Sequence, residues 1–313
     1  MIIPSDFRCG FVAVVGRPNV GKSTLINALL GQKIAAVSPR PQTTRRRQLG
    51  ILTGEKAQII FVDTPGLHTP RHKLGQFFNQ EAEEALTGVD VVLFLVDASV
   101  APTEEDRRVA ALLVALPRRP HLILGLNKTD LLPAGTLEAR RQEYRALLHT
   151  LADNEVTTLA FSATSGEGLP ALLEALLTCL PPGPPQYPSE QVTDLYEREI
   201  AADLIREAAL RFLEDELPHA LAVRIDEYKE RGEHGAYVAA TLFVERESQK
   251  GIVIGAGGAM LKKIGCAARQ EIEAMSGRKV FLELRVKVAR GWRNDEAFLR
   301  RMGYKIKSER RKA

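Results

Sequence analysis

Gly16-Arg17-Pro18-Asn19-Val20-Gly21-Lys22-Ser23 lies between the apolar run Phe11-Val12-Ala13-Val14-Val15 and a helical pattern that runs from Ser23 and Thr24 to Leu30. Strand, loop and helix in that order are the structural context that the G-x-x-x-x-G-K-[ST] spacing requires. Gly16 and Gly21 allow backbone conformations that a Cβ opposes, so successive N–H groups can converge on phosphate oxygens. The helix start adds its unpaired N–H groups and the positive end of its dipole. Lys22 is spaced to reach the β- and γ-phosphates, and the Ser23 hydroxyl to ligate magnesium. The stretch from Gly16 to Thr24 therefore predicts a nucleoside triphosphate site.

Outward from this loop, apolar runs alternate with helical stretches. Strands are expected near 11–15, 48–53, 57–63, 89–97, 121–127 and 156–161, and helices near 22–30, 74–86, 104–116, 137–151 and 169–179. A run such as Val91-Val92-Leu93-Phe94-Leu95-Val96 is apolar throughout, as in a parallel strand covered on both faces. The expectation is an α/β, doubly wound, mostly parallel sheet with its ligand at the carboxyl ends of the strands.

Three further segments fall at those ends. Pro39 to Arg47, with two prolines and three consecutive arginines, reads as a mobile loop that brings a threonine to the metal, Thr44 in preference to Thr43. Asp63-Thr64-Pro65-Gly66 ends the third strand: Asp63 can hold magnesium, and the Gly66 N–H can approach the γ-phosphate. The polar segment from Leu67 to Lys73 is expected to reorder when that phosphate leaves. Asn127-Lys128-Thr129-Asp130 places a carboxylate where guanine offers two N–H donors and adenine offers none, which gives base selectivity. Asn127 and Lys128 would brace loop and base, and a backbone N–H of Ser162-Ala163 would meet the guanine 6-oxo group.

Four motifs in fixed order resemble the translation-factor-related class of P-loop GTPases. The Gly-x-Pro-Asn-Val-Gly-Lys-Ser wording, Thr43-Thr44-Arg45 and Asp63-Thr64-Pro65-Gly66-Leu67 are similar to the Era, Der and MnmE group. Lys22, Asn19, Thr44 and Gly66 are then the residues expected to act on the transferring phosphate. Leu67 stands where Ras-type GTPases carry a water-orienting glutamine, so intrinsic hydrolysis should be slow. Asn19 resembles the asparagine that in this group helps hold a potassium ion against the phosphates, supplying charge an arginine finger supplies elsewhere.

Pro181-Pro182-Gly183-Pro184-Pro185-Gln186-Tyr187-Pro188 breaks the pattern and reads as a semi-rigid connector. It divides the chain into a first domain, 1–180, a linker, 181–192, and a second domain, 193–313. A helix follows with Asp194 and Glu197 placed as cap and partner. Strand-like runs at Ala220–Tyr228 and Ala236–Glu245 come next, then a short helix and Gly255-Ala256-Gly257-Gly258. A basic helix from Ala259 to Met275 and a strand from Lys279 to Val288 complete the order. Helix, strand, strand, helix, Gly-x-x-Gly, helix, strand is the order of a type II KH domain, a smaller α+β unit whose loop clamps single-stranded RNA by its backbone. Gly255 to Gly258 would receive phosphates, and Lys262 and Lys263 would neutralise them. Val253, Ile254 and Ile264 are candidates for the groove floor or for the core. Lys287, Arg290, Trp292 and Arg293 interleave charge with the chain's one tryptophan, which suits base stacking as well as it suits capping the core.

Charge agrees with this division. Of the 313 residues, 251–313 carry 16 Lys and Arg against 6 Asp and Glu, whereas 189–250 carry 8 against 15. A basic end on a near-neutral chain points to a polyanion, RNA or an anionic membrane. Cys9, Cys179 and Cys266 are too widely spaced for a metal site or a disulfide framework, which suggests a reducing compartment. No secretory signal or apolar run of membrane-spanning length is seen, so a cytoplasmic monomer is expected.

GTPase motifs, proline linker and KH order together resemble the Era family across the whole chain. That resemblance implies a GTP-hydrolysing, magnesium-dependent switch that binds the 3′ end of small-subunit (16S) rRNA and acts in 30S assembly. Peripheral contact with the inner membrane, coupling growth to division, is the alternative. No helix with a strongly cationic face and exposed Trp or Phe supports it.

Overall fold

The computed structural model describes residues 4, 6–38, 44–66, 72–118, 120–214, 217–232 and 234–304. They form two compact units: Met1–Ala35, Thr44–His68 and Phe78–Asp194 in the first, and Leu195–Ala313 with Ala36–Thr43 and Thr69–Phe77 in the second.

In the first unit the elements are β1 (Arg8–Val15), α1 (Lys22–Leu30), β2 (Gln48–Thr53), β3 (Ala57–Asp63), the part of α2 (Lys73–Glu84) from Phe78 onward, and β4 (Val91–Asp97). They continue with α3 (Glu104–Val114), β5 (His121–Asn127), α4 (Leu137–Ala146), β6 (Val156–Ala160) and α5 (Leu169–Cys179). The strands lie in the order β2-β3-β1-β4-β5-β6. All pairings are parallel except β2 with β3, which are joined by a tight turn. Alternate residues of the central strands face opposite ways. Val12, Val14, Leu93 and Leu95 pack on Leu25 and Ile26 of α1 and Leu172 and Leu176 of α5. Ala13, Val15, Val92, Phe94 and Val96 pack on Val109 and Leu113 of α3 and Tyr144 of α4. Each such fully buried Val, Leu or Phe is stabilised by about 1.5–3 kcal/mol relative to exposure. Two-sided burial is why these strands read as unbroken apolar runs.

The proline-rich segment differs from a free connector. Its backbone lies along the first unit: Pro181 C=O accepts from Cys9 N–H at 3.1 Å, Gly183 N–H donates to Phe7 C=O at 2.9 Å, and Val192 C=O accepts from Ile51 N–H at 2.9 Å. Gln58, fully buried, accepts from the N–H groups of Gln186 and Tyr187 at 2.8 and 3.0 Å. The segment thus pairs with the start of β1 through Pro181 and Gly183 and closes the open edge of β2 through Val192, an edge that would otherwise present unpaired backbone groups. Asp194 belongs to the same strap. It accepts from Leu49 N–H at 2.7 Å rather than capping the next helix, because a nearby edge N–H needs a partner.

In the second unit, α6 (Glu197–Phe212) starts after Tyr196, whose N–H donates to the Glu199 carboxylate at 3.1 Å. Then come α7 (Leu217–Ala220), β7 (Ala222–Arg231), β8 (Gly235–Val244), α8 (Glu247–Ile254), α9 (Ala259–Ser276), β9 (Lys279–Val288) and α10 (Glu296–Arg301). The sheet order is β7-β8-β9, with β7 antiparallel and β9 parallel to β8. Its inner face packs on α6 and α9 through Ile205, Ala209, Val238, Ile264, Ala268 and Ile272. The strands reach farther into the polar turn than expected, since pairing runs to Arg231 opposite Gly235.

Trp292 is core in this structure. It is 1 % exposed, its indole N–H donates to Ala220 C=O at 2.9 Å, and its ring lies 5.7 Å from that of Phe298. Its burial beside α10 rules out the base-stacking role considered for it. Among the described residues no single helix is long and apolar enough to cross a membrane.

Candidate functional site

The carboxyl ends of β1, β3, β4 and β5, and the loop after β6, bring the sequence motifs to one edge of the first unit. The loop from Gly16 to Gly21 leaves β1 and enters α1 at Lys22. Gly21 takes φ 101, a left-handed conformation a side chain would oppose, and Asn19 also takes positive φ, 65. Lys22 is buried and its Nζ donates to the carbonyls of Gly16 and Arg17 at 3.1 and 3.0 Å, so the ammonium is held inside the loop's curve. Burial lowers its pKa to about 8, against the opposing charge of Asp63.

Ser23, Thr44 and Asp63 form a tight oxygen cluster. Ser23 Oγ donates to Asp63 Oδ2 at 2.8 Å and lies 2.8 Å from Thr44 Oγ1, which is 3.3 Å from the same carboxylate oxygen. Asp63 is fully buried, and burial raises its pKa despite Lys22 and the two hydroxyls. Its Oδ1 is buried with no hydrogen-bond partner among the described residues. One buried carboxylate oxygen awaiting a partner, beside two hydroxyls, is a donor set that fits a hard, oxygen-seeking divalent cation such as magnesium. Thr64 Oγ1 donates to Val14 C=O at 2.9 Å and Pro65 is buried, which anchors the segment carrying Gly66. Thr43, Leu67 and the rest of 39–43 and 67–71 lie outside the described residues. In the described part of the loop 39–47, Arg45 is buried.

Asn127 joins the phosphate side to the base side. Its Nδ2 donates to Val20 C=O at 2.8 Å and its Oδ1 accepts from Ala163 N–H at 2.9 Å. A backbone N–H of Ser162-Ala163 is expected to meet guanine; in this structure the Ala163 N–H donates to Asn127 and the Ser162 N–H to Glu167 C=O at 3.0 Å. Both bonds hold the loop's shape because its amides lie in a buried turn. Asp130 is exposed at the rim.

Sequence reading passed over Asp97 and Asp106. Lys128 Nζ donates to Asp97 Oδ2 at 2.7 Å, and Arg17 of the phosphate loop lies 3.7 Å from that oxygen and donates to buried Asp106 at 3.1 Å. Burial acts to raise the Asp97 pKa, but hydrogen bonds from Lys128 and Ser99 outweigh it and hold the carboxyl below its ordinary value. The available signal was position: like Asp63, Asp97 is the last residue of a buried strand.

In the second unit, Gly255, Gly257 and Gly258 take φ of 74, 57 and 82 and turn the chain into α9. The first turn of α9 has no side-chain cap and no acidic residue, so its N–H groups remain able to receive an anion. A groove of about 390 Å³ opens beside it, between Leu261, Lys262, Gly265 and Arg269 of α9 and Leu282 and Leu284 of β9. Val253 and Ile264 are fully buried beneath α8 and α9, so they are core rather than groove floor; Ile254 is half-buried. Lys262 lines the groove, whereas the Lys263 ammonium sits 4.4 Å over the Phe212 ring, the two being about 100° apart on the helix. Arg293 is paired with Glu245 at 2.6 Å and so has a structural partner; Ala256, Lys287 and Arg290 are exposed. Of the groove residues missed by sequence reading, Gly265 and Arg269 follow from the helical repeat once Lys262 is placed, whereas Leu261, Leu282 and Leu284 follow only from the fold.

A Cβ at Gly66 would lie 2.7 Å from Pro18 N and 2.8 Å from its Cα. Gly66→Ala must therefore separate the two loops. The variant is expected to melt within a few degrees of the parent yet turn over nucleoside triphosphate about 100-fold more slowly, as when one stabilising N–H is lost. Parental turnover, measured by phosphate release, would contradict this placement of Gly66.

The comparisons agree with both units. A family model described as a 50S ribosome-binding GTPase matches residues 11–128, and a KH domain model matches residues 216–293. GTPase Era of Geobacter metallireducens is 46% identical over 301 residues, covering 96% of this chain and 99% of that protein. GTPase Era of Mycolicibacterium smegmatis is 47% identical over 302 residues, covering 96% and 100%. Two solved structures align over 96% of this chain and 100% of theirs at 37% identity. They are Era in complex with MgGDPNP and nucleotides 1506–1542 of 16S ribosomal RNA, TM-score 0.88, and a variant of Aquifex aeolicus Era bound to GDP and AlF4−, TM-score 0.89. With a P-loop nucleotide site, a KH unit and relatives of this identity over nearly its full length, the chain belongs to the Era family of GTPases.

Proposed function

We propose that this chain is a GTP-hydrolysing switch that binds the 3′ end of 16S rRNA through its KH unit and acts in assembly of the 30S subunit. The observation that carries the proposal is the pairing, in one chain, of an oxygen cluster around buried Asp63 beside a phosphate loop with a Gly-x-x-Gly turn opening a basic groove. The relative solved with MgGDPNP and 16S nucleotides supports the choice of both ligands.

In the first unit, Ser23 Oγ, Thr44 Oγ1 and Asp63 would hold magnesium, directly or through water. When bound, that ion offsets charge on the β- and γ-phosphate oxygens. The chain's own groups do the remainder. Lys22, released from the Gly16 and Arg17 carbonyls, pairs with the phosphates. Gly66 brings its N–H to the γ-phosphate, and Asp130 accepts from the guanine edge at the site's rim. Asn19, at left-handed φ in the phosphate loop, would help hold a potassium ion beside the phosphates. With Leu67 offering no hydrogen bond, such a cation would supply part of the stabilising charge. GTP turnover should be several-fold faster in potassium than in sodium, with Asn19→Ala removing the difference. Equal parental rates in the two salts would exclude the role.

In the second unit, the N–H groups at the start of α9 take a backbone phosphate, Lys262 and Arg269 neutralise its neighbours, and bases lie against Leu261, Leu282 and Leu284. Hydrolysis then resets the switch rather than making a useful product.

Binding of labelled RNA with the small-subunit 3′ sequence, against a scrambled control at fixed salt, tests the proposal. Sequence-dependent binding, tighter with a non-hydrolysable GTP analogue than with GDP, is the expected result. Equal binding to both RNAs in both nucleotide states would overturn it and favour a charge-driven partner such as an anionic membrane.

A further inference from the structure

β9 is an edge strand, and its face turned away from the helices carries Lys279, Phe281, Glu283, Arg285 and Lys287 at every second position. Phe281 is 65% exposed, an unusual state for a large apolar ring on a strand. A single exposed ring needs no explanation, but this one is built into a stack. Its register partner on β8 is Tyr237, and the two rings lie 5.9 Å apart at 18°. From β7, on the other side of β8, the Arg231 guanidinium lies 4.9 Å from the Tyr237 centroid. The Tyr237 hydroxyl donates to Glu283 at 2.7 Å, and Arg285 holds the same carboxylate at 2.6 Å. Tyr237 is thereby fixed behind Phe281, and the charge of Glu283 is offset. Phe281 also lines the groove that contains Lys262 and Arg269. The ring therefore stands where the groove turns around the edge of the sheet.

We propose that Phe281, backed by Tyr237 and Arg231, is a base-stacking platform for single-stranded RNA that continues out of the KH groove. The proposal rests on the reading of the second unit as an RNA-binding domain. Three features of the site choose this occupant. An aromatic face is sequence-tolerant for bases, and a cation behind the stack strengthens it. Exposed Lys279 lies two residues from the ring along β9 and exposed Lys287 six residues beyond it, about 20 Å at strand rise, so positive charge lies along the path of a strand that continues past the ring. Continuity with the groove means a strand already held by the Gly-x-x-Gly turn reaches the ring without a second binding event. The platform adds affinity for RNA longer than the roughly four nucleotides a KH groove clamps.

The test compares the full chain with Phe281→Ala, Phe281→Trp and Lys262→Glu, each checked by circular dichroism and melting. The probes are nested oligoribonucleotides, about four to ten nucleotides long, from the small-subunit 3′ sequence. Base stacking of about 1–3 kcal/mol corresponds to a loss of roughly 5- to 150-fold. Phe281→Ala should show that loss on the longer RNAs and parental affinity on the shortest RNA that binds. Phe281→Trp should restore long-RNA affinity, with its new emission quenched on binding while buried Trp292 stays silent. Lys262→Glu should weaken every length. Parental affinity of Phe281→Ala for all lengths, with Lys262→Glu still weakened, would overturn the platform and leave the KH reading standing. If Lys262→Glu also bound every length as the parent does, the RNA reading itself would fall.

Discussion

Asn127 makes the tie on which the nucleotide site depends. Its side chain, 1% exposed, binds Val20 C=O on the phosphate loop and Ala163 N–H on the loop after β6. Removing it would leave two buried backbone groups without partners, at about 1–3 kcal/mol each. The tie works because β1, β5 and β6 are parallel and end at the same edge, so three loops distant in sequence meet there. Asp97 adds a second brace, holding Lys128 of the base loop and lying near Arg17 of the phosphate loop. The phosphate and base ends of the pocket are therefore not independently adjustable, and a shift in either loop is transmitted to the other through buried polar contacts.

Much of this was legible in the sequence, for identifiable reasons. Strands β2, β3, β5 and β9 and helices α1 and α5 have the bounds their patterns predict. Each is an apolar run bounded by turn residues, an alternating strand such as β9, or a helix opened by a glycine. The nucleotide residues were legible because their chemistry is tied to backbone shape, and backbone shape is tied to Gly and Lys at fixed spacing. What failed was choice among partners. Asp194 suits a helix cap, but an edge-strand N–H took it. Trp292 suits base stacking, but Ala220 C=O and Phe298 enclosed it. Val253 lies next to the glycine turn, but helix geometry turns it inward. Such outcomes are decided by what lies nearby in three dimensions, which local pattern does not encode.

The second unit shows how little specialised chemistry RNA recognition needs. The uncapped start of α9, a groove floored by leucines and two cations, Lys262 and Arg269, about two helical turns apart form a surface suited to reading shape and charge. The loop residues Ala256 and Gly257 bring no charge, so on the proposed reading phosphate binding there would fall to backbone N–H groups and to Lys262. An exposed aromatic stack on β9 extends that surface beyond what the Gly-x-x-Gly turn announces.

A switch of this kind is defined by coupling, and coupling between two binding events is reciprocal: if nucleotide state changes RNA affinity, RNA must change nucleotide preference by the same factor. The most direct measurement is the ratio of dissociation constants for GDP and a non-hydrolysable GTP analogue, with and without saturating small-subunit 3′ RNA. The account predicts that RNA shifts the ratio toward the analogue by about 5- to 150-fold, the range of ordinary coupling energies. An unchanged ratio would contradict it, leaving a GTPase and an RNA-binding unit that share a chain without sharing a function.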